Sequence, residues 1–400
     1  MLKPGPRTNC RRAVCRAATR LGLLTVAVAT LVSMGSVASA AARPTAGAVI
    51  ASEDITAQPN SRIVNARRVV AMTYLSEGPH GNLVPVRGSV SIPARPAGGW
   101  RLVAFGHGTT GLGDKCTTTD RMGSKVGGKG VFDDWFGQWL GSGYVFATTE
   151  YAGIGGPGVH AYSDGKVAGK NLLDAARAAR AIVKKYTGGD VGKGFVTVGG
   201  SQGGQTSLWA GRQAPSYAPE LKNVGTVAQS VPTEIASMLS VIRPGIPPVP
   251  VPDYVTYVSY ILAGVKVVRP DVDVDSYLTP LGRRVVEDAK TLCYPNQGRA
   301  TKGLGVGQLV SRPLAQGNLI DAIRQITSVP NSGYREPILI YQGLYDPVVP
   351  MPFTDDFVEI LRRNNAVPVD YRKVPTSHGL ESSVETQALR WANSLRWPAR

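Results

Sequence analysis

From about residue 100 onward the chain alternates short apolar runs with stretches of helical periodicity. Ahead of that rhythm, Ile63 to Leu75 and Val84 to Ile92 read as two paired strands, joined through a turn that carries Gly78-Pro79 and Gly81-Asn82. The segment 41–62 is polar and predicts irregular backbone. Leu102-Val103-Ala104-Phe105 then reads as a buried strand ending at Gly106, residues 131–142 as a helix, and Tyr144 to Thr148 as a strand. Ala168 to Tyr186 predicts a helix, with Leu172, Leu173, Ala176, Ala179 and Val183 near one face. Phe195-Val196-Thr197-Val198 is a strand running into Gly199-Gly200-Ser201; Gly203 to Arg212 is a helix and Val224 to Ala228 a further strand. Strands alternating with helices predict an α/β fold with a mostly parallel sheet and helices on both faces.

The rhythm breaks at about Pro232. Residues 232–330 are proline-rich at 244–252 and contain one clear helical stretch, Tyr254–Val268. It resumes with Pro337-Ile338-Leu339-Ile340-Tyr341, a helix near 353–363, a strand at 369–374 and a last helix near 383–396. The pattern therefore predicts a core in two pieces, 41–231 and 331–400, with 232–330 inserted as a cap. Within the insertion Tyr254, Tyr257, Val258, Ile261, Leu262 and Val265 recur at helical spacing, a stripe that must be covered. It packs either on the cap's own core or over a cleft.

The first forty residues stand apart. Lys3, Arg7, Arg11, Arg12, Arg16 and Arg20 occur there with no acid, an apolar run from Leu21 to Met34 follows, and Ala38-Ser39-Ala40 has the small residues of a cleavage site. Residues 1–40 predict a signal peptide and a secreted, extracellular protein. The six cations of the leader, taken from the net charge of +16, leave +10 on the remainder. That excess is scattered rather than massed in a stripe, which argues against a nucleic-acid partner and allows weak attraction to anionic surfaces. Cys10 and Cys15 leave with the leader. Cys116 and Cys293 remain as an even pair in an oxidising compartment and predict a disulfide. Two cysteines, four histidines and no H-E-x-x-H motif give no zinc site, and no metal or organic cofactor is expected.

Gly199-Gly200-Ser201-Gln202-Gly203 matches G-x-S-x-G, between an apolar strand and a helix. Glycines there allow the tight turn that presents a serine hydroxyl. Serine needs a base, and in the strand–turn–helix setting of this motif the order along the chain is Ser, acid, His. His80, His107 and His160 precede Ser201, so His378 is the candidate base. Asp346, just beyond the strand at 337–342, is the candidate acid. Asp355 and Asp356 fall inside a helix, and Asp370 falls at the wrong end of a strand. The amide of Gln202 and a donor from the loop Gly106-His107-Gly108-Thr109-Thr110-Gly111 are the candidate oxyanion hole, Thr109 ahead of Gly108. His107 is expected to shape that loop.

These residues resemble the secretory lipase family of yeasts and actinobacteria. The resemblance rests on His107-Gly108-Thr109-Thr110-Gly111, Cys116, Tyr151-Ala152-Gly153-Ile154-Gly155, Gly199-Gly200-Ser201-Gln202-Gly203-Gly204, Gln342-Gly343-Leu344-Tyr345-Asp346 and Ser377-His378-Gly379. It implies an α/β-hydrolase core, a cap inserted before the strand that leads to the acid, and hydrolysis of acyl esters, often triacylglycerols. Gly200 departs from the family, which more often carries Tyr there, and only one cysteine pair is present. The implied substrate is an acyl ester or lipid, met transiently at a lipid interface. The rival readings are a carboxylesterase for short or bulky esters and a non-catalytic binding protein on the same fold.

Overall fold

The computed structural model describes residues 45–94, 100–121, 125–126, 129–130, 133–379 and 382–399. The expected leader, 1–40, lies outside them. One sheet of nine strands organises the rest: β1 Val49–Asp54, β2 Ala66–Glu77, β3 Leu83–Pro93, β4 Trp100–Gly106, β5 Tyr144–Thr149, β6 Val191–Gly200, β7 Lys222–Gln229, β8 Ile338–Gly343 and β9 Val369–Val374. Their spatial order is β1-β2-β3-β5-β4-β6-β7-β8-β9. The pairs β1–β2, β2–β3 and β3–β5 are antiparallel; the remaining five pairs are parallel. This is the α/β-hydrolase architecture. Its central strands are buried on both faces, which is why they read as unbroken apolar runs such as Leu102 to Phe105.

Two expectations are corrected at the amino-terminal edge. The segment 41–62 is not irregular throughout, because Val49–Asp54 forms β1 against β2. An edge strand is only half covered, and the exposed Glu53 and Asp54 hide it from a hydropathy reading. β2 starts at Ala66 rather than Ile63, because Asn65 takes a left-handed turn at φ 65° and donates its side-chain amide to the Gly137 carbonyl at 2.9 Å.

Helices cover the sheet: α1 Asp133–Gly141, α2 Gly165–Thr187 and α3 Gln202–Tyr217 from the first part of the chain, and, beyond residue 330, α10 Met351–Asn364 and α11 Ser382–Ser394. α2 starts a turn earlier than its apolar periodicity, since the Asp164 carboxylate caps it by accepting from the Val167 amide at 3.1 Å. α3 runs past Arg212 and carries Pro215 in its last turn.

The segment 232–330 forms six short helices, α4 Ile235–Ser240, α5 Tyr254–Val268, α6 Pro280–Ala289, α7 Tyr294–Ala300, α8 Val306–Leu309 and α9 Leu319–Thr327. Only α5 is long enough to show its period in the sequence. The face of α5 formed by Leu262, Ala263 and Val265 is fully buried with Val286 and Ile323 in a hydrophobic cluster of the helical segment. That segment is fastened to the loop after β4. Cys116 and Cys293 form a disulfide, Gly111 pairs with Cys293 in an antiparallel bridge, and the Tyr294 amide donates to the Thr110 carbonyl at 2.8 Å.

Candidate active site

The carboxyl ends of β4, β6 and β7 lie level, with Gly106 beside Gly199 and Gly200 beside Gln229. The chain must turn sharply between β6 and α3, and two glycines make room for it. A Cβ on Gly203 would sit 1.9 Å from the Gly106 carbonyl oxygen, and one on Gly199 would sit 2.2 Å from that of Gly203. At the apex Ser201 adopts φ 56° and ψ −122°, a conformation that costs a non-glycine residue about 1–3 kcal/mol. Its amide is held by the Gln229 carbonyl at 2.8 Å, so the neighbouring strand maintains the strain.

Ser201, His378 and Asp346 come together from three separate loops. His378 Nε2 lies 3.1 Å from Ser201 Oγ, and His378 Nδ1 lies 2.8 Å and 3.0 Å from the two carboxylate oxygens of Asp346. The Asp346 side chain is completely buried while His378 stays partly open. Burial pushes the Asp346 carboxyl up. The His378 hydrogen bond and charge, with the amides of Val349 and Val348 each donating at 2.9 Å, outweigh that and hold it below the usual carboxylate value. The loops of Asp346 and His378 are tied together, because the Leu344 amide donates to the Val374 carbonyl at 2.8 Å and the Tyr345 amide to the Thr376 carbonyl at 3.0 Å. A hydroxyl bonded to an imidazole, itself oriented by a buried carboxylate, is arranged to lose its proton to that imidazole. Asp355 instead pairs with Tyr371 and Lys373 on the outer side of α10; Asp370 pairs with Arg372.

Gln202 is the first helical residue of α3, where an amide has no intrahelical acceptor. Its side chain is anchored behind the site, donating to His160 Nε2 at 2.7 Å, while His160 Nδ1 donates to the Ala152 carbonyl at 3.1 Å. Thr109 and Gly108 both line the cavity at Ser201, and Thr109 Oγ1 bonds the Tyr162 hydroxyl at 2.6 Å. His107 lies behind this loop. Its Nδ1 bonds the Gly108 carbonyl at 2.6 Å and its Nε2 is 3.7 Å from Glu150, whose buried carboxylate accepts from both the amides and the hydroxyls of Thr118 and Thr119. Among the described residues no cluster of three or more His, Cys, Asp or Glu is placed to hold a metal ion.

Ser201 opens onto two cavities. One, of about 350 Å³, is lined by the 107–110 loop, Gln229, Ser230, Tyr257, Tyr294 and His378. The other, about 60 Å³, is walled mainly by apolar side chains, among them Ile235, Leu239, Tyr254, Val258, Ile261 and Val349. Leu262 and Val265 pack in the helical segment's own core, while Tyr254, Val258 and Ile261 belong to that core and, with Tyr257, also line the small cavity. Tyr257 donates to Tyr294 at 2.9 Å and Tyr294 to Asp253 at 2.6 Å, a chain of hydroxyls at the cavity wall.

His160, Tyr162, Gln229 and Ser230 are site residues that sequence reasoning passed over. Gln229 ends β7 and Ser230 follows it, level with the Ser201 turn, so the rule that parallel strands aim their carboxyl ends at the site could have found them. His160 carries no such signal. Burial holds it neutral with its pKa lowered to about 3; the Ala152 carbonyl pulls the other way and His107 adds to the lowering. A histidine that cannot protonate when folded, but does near 6.5 when unfolded, contributes stability that is complete above about pH 6.5 and is lost as pH falls toward 3. Its expected slope is about 1.4 kcal/mol per pH unit in that window. Urea titrations from pH 7 to pH 4 on wild type and His160→Gln check this; equal slopes in the two proteins would remove it.

The family model of the secretory lipases matches residues 135–297, a span holding Ser201, Gln202 and Cys293. The resemblance read from the motifs and this match name the same family. No curated protein matches the sequence. Among solved structures, Candida antarctica lipase A is similar at a TM-score of 0.66 and 19% identity, over 84% of this chain and 78% of that one. The rice cell wall degrading esterase LipA from Xanthomonas oryzae is similar at a TM-score of 0.66 and 16% identity, over 88% of this chain and 96% of that one. At such identities the likeness is one of fold.

Proposed function

We propose that the protein is a secreted serine hydrolase of acyl esters, with Ser201 as nucleophile, His378 as general base and acid, and Asp346 holding the imidazole. The observation that carries this reading is the unbroken hydrogen-bond line from Ser201 Oγ through His378 to Asp346, built on a strained serine turn. The secretory lipase match over residues 135–297 supports the ester chemistry and agrees with export, and the leader read at residues 1–40 is the proposed route. Ser201 Oγ attacks the ester carbonyl as His378 Nε2 takes its proton. The amides of Gln202 and Thr109 receive the oxyanion, and His378 then protonates the departing alcohol oxygen. A water, deprotonated by His378, attacks the acyl-enzyme and releases the acid.

The small apolar cavity receives the acyl chain. At about 60 Å³, with about 30 Å³ taken by each water in the liquid, it has room for about two water-sized groups, which favours a short acyl group and supports the carboxylesterase reading over a long-chain lipase. A C2-to-C16 ester series on purified protein tests this. The expected result is a maximum of kcat/KM at short chains; a rise to C16 returns the long-chain lipase. Polar substitutions at Ile261, or Tyr257→Ser, are expected to shift preference toward shorter esters by several-fold per contacted methylene, at about 0.8 kcal/mol each. Folded variants with unchanged chain-length preference would take α5 out of acyl binding. A non-catalytic binding role is disfavoured by the complete triad.

A further inference from the structure

The two amides proposed to receive the oxyanion come from distant parts of the chain. Gln202 opens α3, and Thr109 lies in the loop after β4. A single stretch, the loop after β5, reaches both. Buried His160 accepts from the Gln202 side chain at 2.7 Å, and buried Tyr162 shares a hydrogen bond with Thr109 Oγ1 at 2.6 Å. From the same loop the Tyr151 hydroxyl donates to the His107 carbonyl at 2.8 Å. The Tyr151 ring lies 4.5 Å from the ring of His107 and 5.3 Å from that of His160, so it links the groups behind the two amides.

This loop is itself held firmly. Tyr151 sits at φ 64° with its amide donating to Thr149 Oγ1 at 3.1 Å, and the Ala152 amide donates to Asn171 Oδ1 of α2 at 2.9 Å. Gly153, at φ 91°, lets the chain fold back on itself; a Cβ there would lie 2.5 Å from the His160 amide nitrogen. The fold-back brings the Ala152 carbonyl to His160 Nδ1. A carbonyl only accepts, so Nδ1 donates, and burial keeps the ring neutral. Nε2 is therefore left as the acceptor for the Gln202 amide group. On the other side, His107 Nδ1 donates to the Gly108 carbonyl at 2.6 Å. The N–H and C=O of one planar peptide point in opposite directions, so that bond sets the direction of the Thr109 amide. Tyr151 fixes the peptide before it.

We propose that the loop from Tyr151 to Tyr162 is a brace that sets the two oxyanion amides against one another, with His160 and Tyr162 as positioning residues. His160 acts through the Gln202 side chain and Tyr162 through Thr109. Donors stabilise an oxyanion only when aimed at the place where its charge develops, and a misplacement of about 1 Å costs about 10²-fold in rate. The proposal rests on the reading of the protein as a serine ester hydrolase.

The test compares an ester with a ketone that carries the same acyl chain, para-nitrophenyl butyrate and propyl trifluoromethyl ketone. Ser201 Oγ adds to the ketone carbonyl, His378 takes the hydroxyl proton, and the carbonyl oxygen becomes an oxyanion, so the inhibition constant reports the oxyanion hole directly. Rates are expressed per Ser201 labelled by excess fluorophosphonate, which removes any unfolded fraction. His160→Phe keeps the ring on Tyr151 and loses the bond to Gln202. It is expected to lower kcat about 10- to 100-fold at nearly constant KM and to weaken the ketone by the same factor. Gln202→Ala deletes that bond from the other side and is expected to match it, and the double variant should lose no more than either single one. His160→Gln keeps an acceptor for Gln202 and is expected to hold kcat within about threefold of wild type. Tyr162→Phe is expected to lower kcat and ketone affinity together, by about three- to tenfold. Folded Gln202→Ala and Tyr162→Phe with unchanged kcat and unchanged ketone affinity overturn the brace and leave the hydrolase reading intact, as does a fall in kcat with ketone affinity unmoved. A wild type that neither cleaves the ester nor takes up the fluorophosphonate at Ser201 overturns both.

Discussion

Replacement of Ser201 or of His378 by alanine is expected to lower kcat by about 10⁴-fold or more while leaving the melting temperature within a few degrees of wild type. The serine and histidine act as one unit, so the double variant should lose little beyond either single one. Asp346→Asn is expected to cost somewhat less, because the amide can still touch His378 but no longer stabilises the imidazolium or enforces its tautomer. Stability should move in a different way. Ser201 holds a strained turn, so Ser201→Gly relieves it and is expected to raise the melting temperature as activity is lost. Steady-state kinetics on a short-chain ester, beside thermal unfolding, separates these effects. Full activity in folded Asp346→Asn would move the acid elsewhere, and Asp355 and Asp356 would be tested next, although Asp355 is already paired with Tyr371 and Lys373.

The second large effect concerns the Cys116–Cys293 disulfide, which closes a loop with a sequence separation of 177. Replacing both cysteines by serine is expected to lower the unfolding free energy by about 2–5 kcal/mol, the upper figure being the loop-closure entropy for so long a loop. The bond also sits where Gly111 pairs with Cys293 and Thr110 accepts from Tyr294, next to the loop that carries Thr109. Its removal is therefore expected to lower kcat as well as stability, by freeing that loop against the helical segment. Urea midpoints and kcat for Cys116→Ser/Cys293→Ser measure both. Unchanged stability and unchanged kcat together would assign the bond no part in positioning the loop.

The α/β core was legible because its signals are local. Central strands buried on both faces read as apolar runs, and helices between them show a 3.6-residue period, as Leu172, Leu173, Ala176 and Val183 do. Ser201, His378 and Asp346 could be singled out because glycines must flank so sharp a turn, and because one histidine follows that serine. The structure brings all three within hydrogen-bonding reach. What stayed hidden depends on tertiary neighbours. β1 is a half-exposed edge strand, and α4 and α6 to α9 are too short to establish a period. His160 is set by its contacts with Ala152, eight residues away, and with Gln202, 42 residues away in sequence. Which α5 residues also line the small cavity follows from how α5 is rotated, which its apolar stripe alone does not specify.

The most direct test of the central claim is covalent. An excess of a fluorophosphonate probe is added to the purified protein, once folded and once heat-denatured, and the site of labelling is mapped by peptide mass spectrometry. Activation of Ser201 by His378 and Asp346 predicts stoichiometric labelling of Ser201 in the folded protein and none after denaturation or in His378→Ala. A folded protein that takes up no probe, or takes it up at another residue, would contradict the assignment of Ser201 as nucleophile.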